Sequence, residues 1–513
     1  MSKIYSDTHY SPLGDLALIL GLGICSVFFG LLAVTANPVM IGLGVGMVFG
    51  SVLLTKPEFT IWIVLVIGFL FGVVSANPQL SKITWIVSIL SMLLLLPAFI
   101  NVFWSKQRRV PGFMLIALLY LLYGVGVSII QWYSIEEFVA GFKRYFQAFG
   151  LMMALTLIVF RPQSYVRWGI FLMVVALLQF PAALYELLVL VPLRGGLSLS
   201  SETTDVIAGT FGANIEGGSP NAVMVIYLFV ALSFFVARWR SGLIKSNVFY
   251  PLAFICLLPL GMGETKIAVV MLPLVGVVIF REELSSLSLR NVFAIFVLTL
   301  LTMLLGYLYI SVISHSSLDE VLDSTIRYNV GDQGYSEAQH LNRFTSITFW
   351  GQEQGFDDPL SFLIGNGLGS SCSSTGSMAG TGPVAGHLGL KYYHYGIDLT
   401  AVSTLLWDTG LIGLMMFMSI FIAAWIAAGR LRRSVSDTAV KADANAIQAA
   451  IALFLLSIPY SDSITNLISM ELIYAIVLGY LGYLMNYHGL LDRPSSSELS
   501  TNLKNADELK ARL

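Results

Sequence analysis

The chain has 513 residues, of which 56% are hydrophobic and 11% charged, and its formal net charge is -2. Its mean hydropathy is +0.80. A water-soluble domain usually carries about 25% charged residues, and a chain this apolar would expose large hydrophobic patches in water. The composition therefore excludes a water-soluble globular protein and predicts an all-α polytopic membrane protein.

Apolar runs of bilayer-spanning length follow one another along most of the chain. A bilayer core takes roughly 20 apolar residues per helix, and on that basis we expect about fourteen transmembrane helices. Only Lys3 precedes the first run, which is longer than the apolar region of a signal peptide, so we expect an uncleaved first span. The predicted spans are 13–34, 38–54, 60–76, 83–103, 113–132, 144–160, 169–192, 221–237, 247–263, 267–280, 291–313, 399–429, 446–460 and 467–486.

The connections between these spans carry an uneven charge distribution. If the N-terminus is cytoplasmic, 20 of the 28 Lys and Arg residues lie on the cytoplasmic side, as the positive-inside rule requires. Both termini are then cytoplasmic. The chain divides into helices 1–11 over 1–313, a large outer loop over 314–398, helices 12–14 over 399–486 and a cytoplasmic tail over 487–513.

The outer loop is far longer than most connections, and such loops are usually functional or disordered. Its aromatic residues favour a folded, functional loop. In 336–352, apolar residues recur every third position, which predicts an amphipathic helix. That stripe consists of Leu341, Phe344, Ile347 and Trp350. The next segment, 359–386, is rich in Gly and Ser. It is not a P-loop, because no Lys-Ser/Thr follows the glycines, and we expect tight turns or close approach to a ligand.

The end of the loop, "GHLGLKYYHYGID" (386–398), gathers titratable groups. Asp398, His394 and His387 are candidate general bases, since each type can accept a proton from a hydroxyl. Two other interpretations stay open: Asp398 caps the helix that follows it, and the histidines are ordinary loop residues. The His and carboxylate spacing does not predict a metal site.

Three basic residues are candidate ligands for an anionic substrate group on the outer side: Lys266, Arg343 and Arg144. A lysine at the interface can also snorkel or pair with a neighbouring carboxylate. Arg343 can instead belong to the solvated face of a helix, and Arg144 can anchor a span at the interface. Two carboxylates inside spans, Glu186 and Glu471, are also functional candidates.

Three stretches resemble the O-antigen ligase and polymerase superfamily. "NRFTSITFWGQEQGFDDPLSFLIGNGLGS" (342–370) resembles its outer loop, where an arginine and an aromatic precede a "p-l-x-G-x-G" run. "STLLWDTGLIGLMMF" (403–417) resembles its "L-x-E-x-G-l-x-G-l" segment, and "GTFGANIEGGSPNAV" (209–223) resembles its "G-t-F-g-N-P-N-x-l-A" stretch. The resemblance covers roughly residues 200–430.

This resemblance implies a GT-C-like membrane fold and an enzyme that joins sugar chains delivered on polyprenyl pyrophosphate. It also implies two outer cations for the pyrophosphate and, in the ligase branch, a loop histidine as base. Carried over, Lys266 stands in place of the arginine of the family's "S-R-G" motif, and Arg343 is the second cation. The ligase histidine would fall at Leu399, so the polymerase branch is favoured.

We therefore expect a metal-independent glycosyltransferase of the bacterial inner membrane, a polysaccharide polymerase that needs no cofactor and binds no nucleic acid. Its partners would be a polyprenyl-pyrophosphate-linked oligosaccharide and membrane lipid, and the sequence leaves open whether a chain-length regulator binds. Trp350, Trp407 and Tyr393 are candidate stacking platforms for sugar rings. The alternatives are a ligase that moves the glycan to a lipid or protein acceptor and, from a separate class, a secondary transporter.

Overall fold

A computed structural model describes residues 53–70, 83–105, 109–193, 206–213, 220–263, 267–285, 341–355, 358–373 and 385–491, with a few isolated positions besides. The predicted spans 13–34 and 291–313, and nearly all of 38–54, lie outside these residues. So do Lys266 and much of the outer loop.

Every regular element in the described part of the chain is a helix, in agreement with the predicted all-α class. Two π-helical turns, Asn101–Ser105 and Glu186–Leu190, directly follow the helices that end at Ile100 and Tyr185. The helices are α1 Pro57–Leu70, α2 Ile83–Leu93, α3 Leu95–Ile100, α4 Gly112–Ile130, α5 Ile135–Phe146, α6 Phe149–Leu157, α7 Pro162–Tyr185, α8 Asn221–Arg240, α9 Ser246–Met262, α10 Ala268–Ile279, α11 Arg281–Ser285, α12 Thr345–Gln354, α13 Pro359–Ile364, α14 His387–Lys391, α15 Ala401–Ser434, α16 Thr438–Ser457, α17 Ser463–Asn466 and α18 Ile468–Tyr487.

Seven helical stretches of the described residues are long and apolar enough to cross a membrane, which supports a polytopic membrane protein. Each overlaps with a predicted span. Three shorter apolar helices, α1, α9 and α10, overlap with the predicted spans 60–76, 247–263 and 267–280. The seven stretches are Trp85–Phe103, Gly112–Ile130, Pro162–Leu193, Asn221–Arg240, Ala401–Ser434, Thr438–Ser457 and Ile468–Tyr487.

The structure differs from the prediction of one helix over 144–160. α5 ends at Phe146 and α6 begins at Phe149. Gln147, between them, donates from its side chain to Glu471 Oε1 (2.8 Å) and to the Asn466 carbonyl (3.1 Å). Because the apolar run contains this polar anchor, it forms an amphipathic helix and a separate buried helix.

The core of the bundle forms around α6 and α18. All nine residues of α6 are buried, and small residues let its neighbours come close. A Cβ on Gly150 would lie 1.8 Å from the Ser91 carbonyl oxygen, and one on Gly479 would lie 2.8 Å from Leu155. Packing of this kind is how apolar helices associate where lipid tails surround them.

Ion pairs between arginine and aspartate lie at opposite ends of the helices. At one end, Arg238 on α8 contacts Asp443 on α16. At the opposite end, Arg144 on α5 contacts Asp462, which follows α16. The first end is the one that the excess of Lys and Arg predicts to be cytoplasmic, and the second is the predicted outer end.

Candidate functional site

At the predicted outer end, the glycine-rich segment 364–371 packs against a break in α15. The helix departs from helical geometry at Gly410, where φ is 66° and ψ is -172°. Gly367 N donates to the Asp408 carbonyl at 2.9 Å. A Cβ on Gly410 would lie 2.4 Å from the Leu363 carbonyl oxygen, so only glycine fits this crossing without strain. The glycines thus let the segment 364–371 pack closely against α15 at Gly410.

Asp408 is the centre of this packing and is fully buried. Its carboxylate accepts hydrogen bonds from Tyr145 Oη (2.9 Å), Gly369 N (3.1 Å), Ser370 Oγ (2.9 Å) and Ser371 N (2.7 Å). Buried carboxylates need such donors. With both oxygens occupied, Asp408 anchors the glycine-rich segment to α5 and α15.

One face of α5 packs against the glycine-rich segment 364–371. Glu137, Gly141 and Arg144 are spaced four and three residues apart, which places them on the same side of a helix, and all three are buried. A Cβ on Gly141 would lie 2.2 Å from the backbone of Leu368. This close approach brings the two charged side chains of α5 against the loop.

Arg144 is a buried cation with an incomplete set of partners. It is 3% exposed, and its Nη2 lies 3.3 Å from Asp462 Oδ2. Nε and Nη1 have no hydrogen-bond partner among the described residues. Asp398 and Cys372 also interact with it electrostatically. Burial raises the pKa of Asp462 above its ordinary value, while Arg144 works against that shift. Buried donors without partners are costly, so these two nitrogens are available to an acceptor.

Arg343 reaches the same turn from the outer loop. Its Nε donates to the Tyr460 carbonyl at 2.6 Å, and its guanidinium lies 4.4 Å from the centre of the Tyr460 ring. Tyr460 and Asp462 lie in the turn between α16 and α17. The structure therefore brings two of the predicted cations, Arg343 and Arg144, to one turn. The third, Lys266, lies outside the described residues.

His387 begins α14 and contacts α5. Its Nδ1 lies 3.0 Å and 3.1 Å from the two carboxylate oxygens of Glu137. Its backbone N–H donates to the same carboxylate at 2.8 Å. The imidazole stacks on Tyr133 with ring centres 4.5 Å apart. Of the three predicted bases, His387 is the one whose imidazole is fixed by contacts with a carboxylate on another helix.

The other two candidate bases have different surroundings. Asp398 accepts hydrogen bonds from Ser373 N (3.0 Å) and Ser373 Oγ (2.8 Å). It is not the cap of α15, because the Thr400 side chain accepts from Ser403 N at that position. His394 is exposed, and its ring meets the edge of Tyr393 at 5.7 Å.

The predicted sugar platforms divide into covered and exposed rings. Trp350 is 5% exposed and stacks on Phe362 with centres 4.6 Å apart. Trp407 is 1% exposed and packs near Phe349. Both belong to an aromatic cluster that holds α12 against α15, so protein covers the rings. Tyr393 is 59% exposed and is open to a ligand.

The two carboxylates inside spans are buried and hydrogen-bonded. Glu186 accepts from the backbone N–H groups of Ala208 (2.9 Å) and Gly209 (2.7 Å). Glu471 accepts from Gln147. These contacts hold the segment 206–213 and the junction between α5 and α6 in place.

Comparison with models of known protein families gives no match to the chain, and comparison with curated proteins gives none either. The site is therefore interpreted from its own geometry. Within the described ranges, no three His, Cys, Asp or Glu side chains are grouped so that they could hold a metal ion.

Sequence reasoning missed four residues of this site: Asp408, Asp462, Tyr145 and Glu137. One signal was available, because Asp408 occupies the acidic position of the "L-x-E-x-G" pattern. The other three lie in unremarkable stretches, and only the packing of α5 against the loop and against the turn after α16 reveals them.

Proposed function

We propose that the protein is a polysaccharide polymerase of a bacterial inner membrane. It transfers a glycan from polyprenyl pyrophosphate to a sugar hydroxyl of another lipid-linked repeat unit, in exopolysaccharide, capsule or O-antigen synthesis. The observation that carries this proposal is the buried Arg144 guanidinium, whose Nε and Nη1 lack partners among the described residues, beside the turn that also binds Arg343.

The reaction requires positive charge at the leaving group. As the anomeric C–O bond breaks, its electron pair leaves with the pyrophosphate. A guanidinium suits this role because its planar fork binds two phosphate oxygens at once. Fixed cations near low-dielectric lipid stabilise that charge more than they would in water. Lys266 is proposed as a further cation, and a base from 387–398 takes the hydroxyl proton.

A groove on the other side of α5 supports a lipid-linked donor. It lies between α2 and α5 and has a volume of about 330 Å³. Apolar residues such as Ile89 and Phe142 line it, with the Lys143 ammonium in its wall, 4.7 Å from the centre of the Trp85 ring. Apolar walls with one ammonium group suit an isoprenoid chain that carries an anionic group.

One observation favours a secondary transporter as a second candidate. Transporters often place a broken helix and a buried charge in the membrane, and α15 is broken at Gly410 beside buried Asp408. However, both oxygens of Asp408 already accept hydrogen bonds from the protein. Both oxygens of this carboxylate are therefore engaged, whereas Nε and Nη1 of Arg144 have no partner among the described residues, and this difference favours the enzyme.

The test is incubation of the purified, reconstituted protein with polyprenyl-pyrophosphate-linked repeat units. A ladder of longer lipid-linked glycans supports a polymerase. Glycan transferred only to an added lipid or protein acceptor indicates a ligase, and substrate translocation without a new glycosidic bond indicates a transporter.

A pair of matched variants tests the arginine site in the same assay. Arg343→Lys keeps the charge but loses the planar fork, and we expect a rate about tenfold lower. Arg167→Lys, on an exposed position of α7, makes the same exchange away from the site and should leave the rate unchanged. Equal rates for both variants would contradict the role of Arg343.

A further inference from the structure

The contacts of His387 tie it to a buried carboxylate on another helix. Glu137 is 5% exposed, and within the described part of the chain its carboxylate makes its hydrogen bonds with His387, one with the backbone N–H and two with Nδ1. A solvated loop histidine needs no such partner. A carboxylate that orients an imidazole is instead the arrangement that activates histidine bases in enzymes.

The pairing fixes which ring nitrogen carries the proton. An ionised carboxylate only accepts hydrogen bonds, so Nδ1 must be the donor to Glu137, and Nε2 of the neutral ring keeps its lone pair. Tyr133 covers one face of the imidazole. Among the described residues, the ring contacts of His387 are to Glu137 and Tyr133. Its side chain remains 25% exposed, so a substrate can reach it.

We infer that Glu137 is a positioning residue that holds His387 as the general base of glycan transfer, an inference that rests on the proposed function. The acceptor hydroxyl gives its proton to Nε2 of His387 while its oxygen bonds to the anomeric carbon. The bond from that carbon to the pyrophosphate oxygen breaks, and its electron pair leaves with the pyrophosphate. Glu137 stabilises the imidazolium that forms.

The placement of the two charged groups on α5 suits this step. Glu137 and Arg144 are seven residues apart on one buried face, about 10 Å along the helix axis at 1.5 Å per residue. In a displacement with inversion, the base and the leaving group lie on opposite sides of the sugar. The residue that holds the base and the cation therefore lie about two turns apart on the same face of α5.

The other two candidates are less suited to the role of base. The Asp398 carboxylate already accepts two hydrogen bonds from Ser373, both at Oδ2. The described ring contact of His394 is to the exposed Tyr393, which does not fix a tautomer.

The activity test compares three variants with one control in the ladder assay. We expect His387→Gln to lower kcat by about 10²–10⁴-fold, the usual contribution of a general base, with little change in KM for the donor. Glu137→Gln should lower kcat by at least about tenfold, because the imidazolium that forms loses an adjacent negative charge. Glu137→Asp should recover part of the rate. Glu136→Gln changes the exposed neighbour and should behave as wild type.

A second measurement does not depend on activity. In ¹⁵N-histidine-labelled protein, the His387 imidazole, identified by its loss in His387→Gln, should show a protonated Nδ1. That signal should change in Glu137→Gln and stay in Glu136→Gln. An unchanged signal in Glu137→Gln would overturn the positioning role.

The outcomes separate this inference from the proposed function. A wild-type protein that makes no ladder contradicts the polymerase. A wild-type protein that makes one while His387→Gln, equally well folded, makes it as fast contradicts the assignment of the base alone.

Discussion

Arginines at the two ends of the bundle have very different partners. At the predicted cytoplasmic end, Arg238 donates two hydrogen bonds to Asp443, at 2.7 Å and 2.9 Å. The Tyr480 hydroxyl donates a further hydrogen bond to the same carboxylate. At the predicted outer end, Arg144 makes one contact at 3.3 Å with Asp462, and two of its nitrogens lack partners within the described residues.

Burial makes this difference informative. The side chain of Arg238 is 33% exposed, whereas that of Arg144 is 2% exposed. The more deeply buried cation is therefore the less completely paired one, which is the reverse of what stability alone would favour. Arg238 fastens α8 to α16. Arg144 keeps two nitrogens without a partner among the described residues, as its proposed role as an anion ligand requires.

Removal of the Arg144 guanidinium is the most direct test of this difference between the two ends. Arg144→Ala should lower the rate of glycan polymerisation by about 10²–10³-fold, the usual loss when one donor to a developing charge is removed. Arg144→Lys should fall between this variant and wild type, because it restores the charge without the fork. The measurement is ladder formation per mole of folded protein.

Arg238→Ala is the matched control. We expect it to lower the melting temperature, because buried Asp443 loses its partner, while the rate per folded molecule stays near that of wild type. If Arg238→Ala lost activity and Arg144→Ala did not, the contrast between the two ends would be wrong.

The next effect concerns the break in α15 that positions the outer site. Gly410→Ala places a Cβ at positive φ, 2.4 Å from the Leu363 carbonyl, so we expect destabilisation of about 2–4 kcal/mol. Gly126 lies inside α4 with nothing within 4 Å of its Cβ position. Gly126→Ala should therefore stabilise by about 0.5–1 kcal/mol. Thermal unfolding in detergent measures both, and equal shifts would show that the break is not required.

Much of the fold was predictable because hydrophobic run length reports membrane helices directly. The spans 113–132 and 467–486 were located to within about two residues of α4 and α18. The run 144–160 was not, since Gln147 and its partner Glu471 meet only in three dimensions. In 336–352 the helix begins at Thr345, because the Asn342 side chain accepts hydrogen bonds from the N–H groups of Phe344 and Thr345. Phe344 is exposed.

The site was predictable only in part. Residue type and outer placement identified Arg343 and Arg144 as cations. Their convergence on the turn of Tyr460 and Asp462 depends on the packing of α5 against that turn, which no local pattern encodes. The same holds for His387: the sequence marked it as one of three bases, but only its contact with α5 separates it from the others.

The alkylation rate of the Cys372 thiol tests whether the charge of Arg144 acts on the glycine-rich segment. Cys372 is buried beside the site, and burial raises the pKa of its thiol to about 11, although Arg144 lowers it. Since the thiolate is the species that reacts, alkylation should accelerate about tenfold per pH unit below pH 11 in a variant that keeps only this cysteine. Arg144→Gln removes the charge at similar size, so the half-maximal pH should rise and the rate at pH 8 should fall a few-fold. Arg238→Gln, at the other end, should change neither quantity. Equal rates in the two variants would mean that Arg144 does not act on Cys372, and the charge would then be too remote from the glycine-rich loop to serve a ligand bound there.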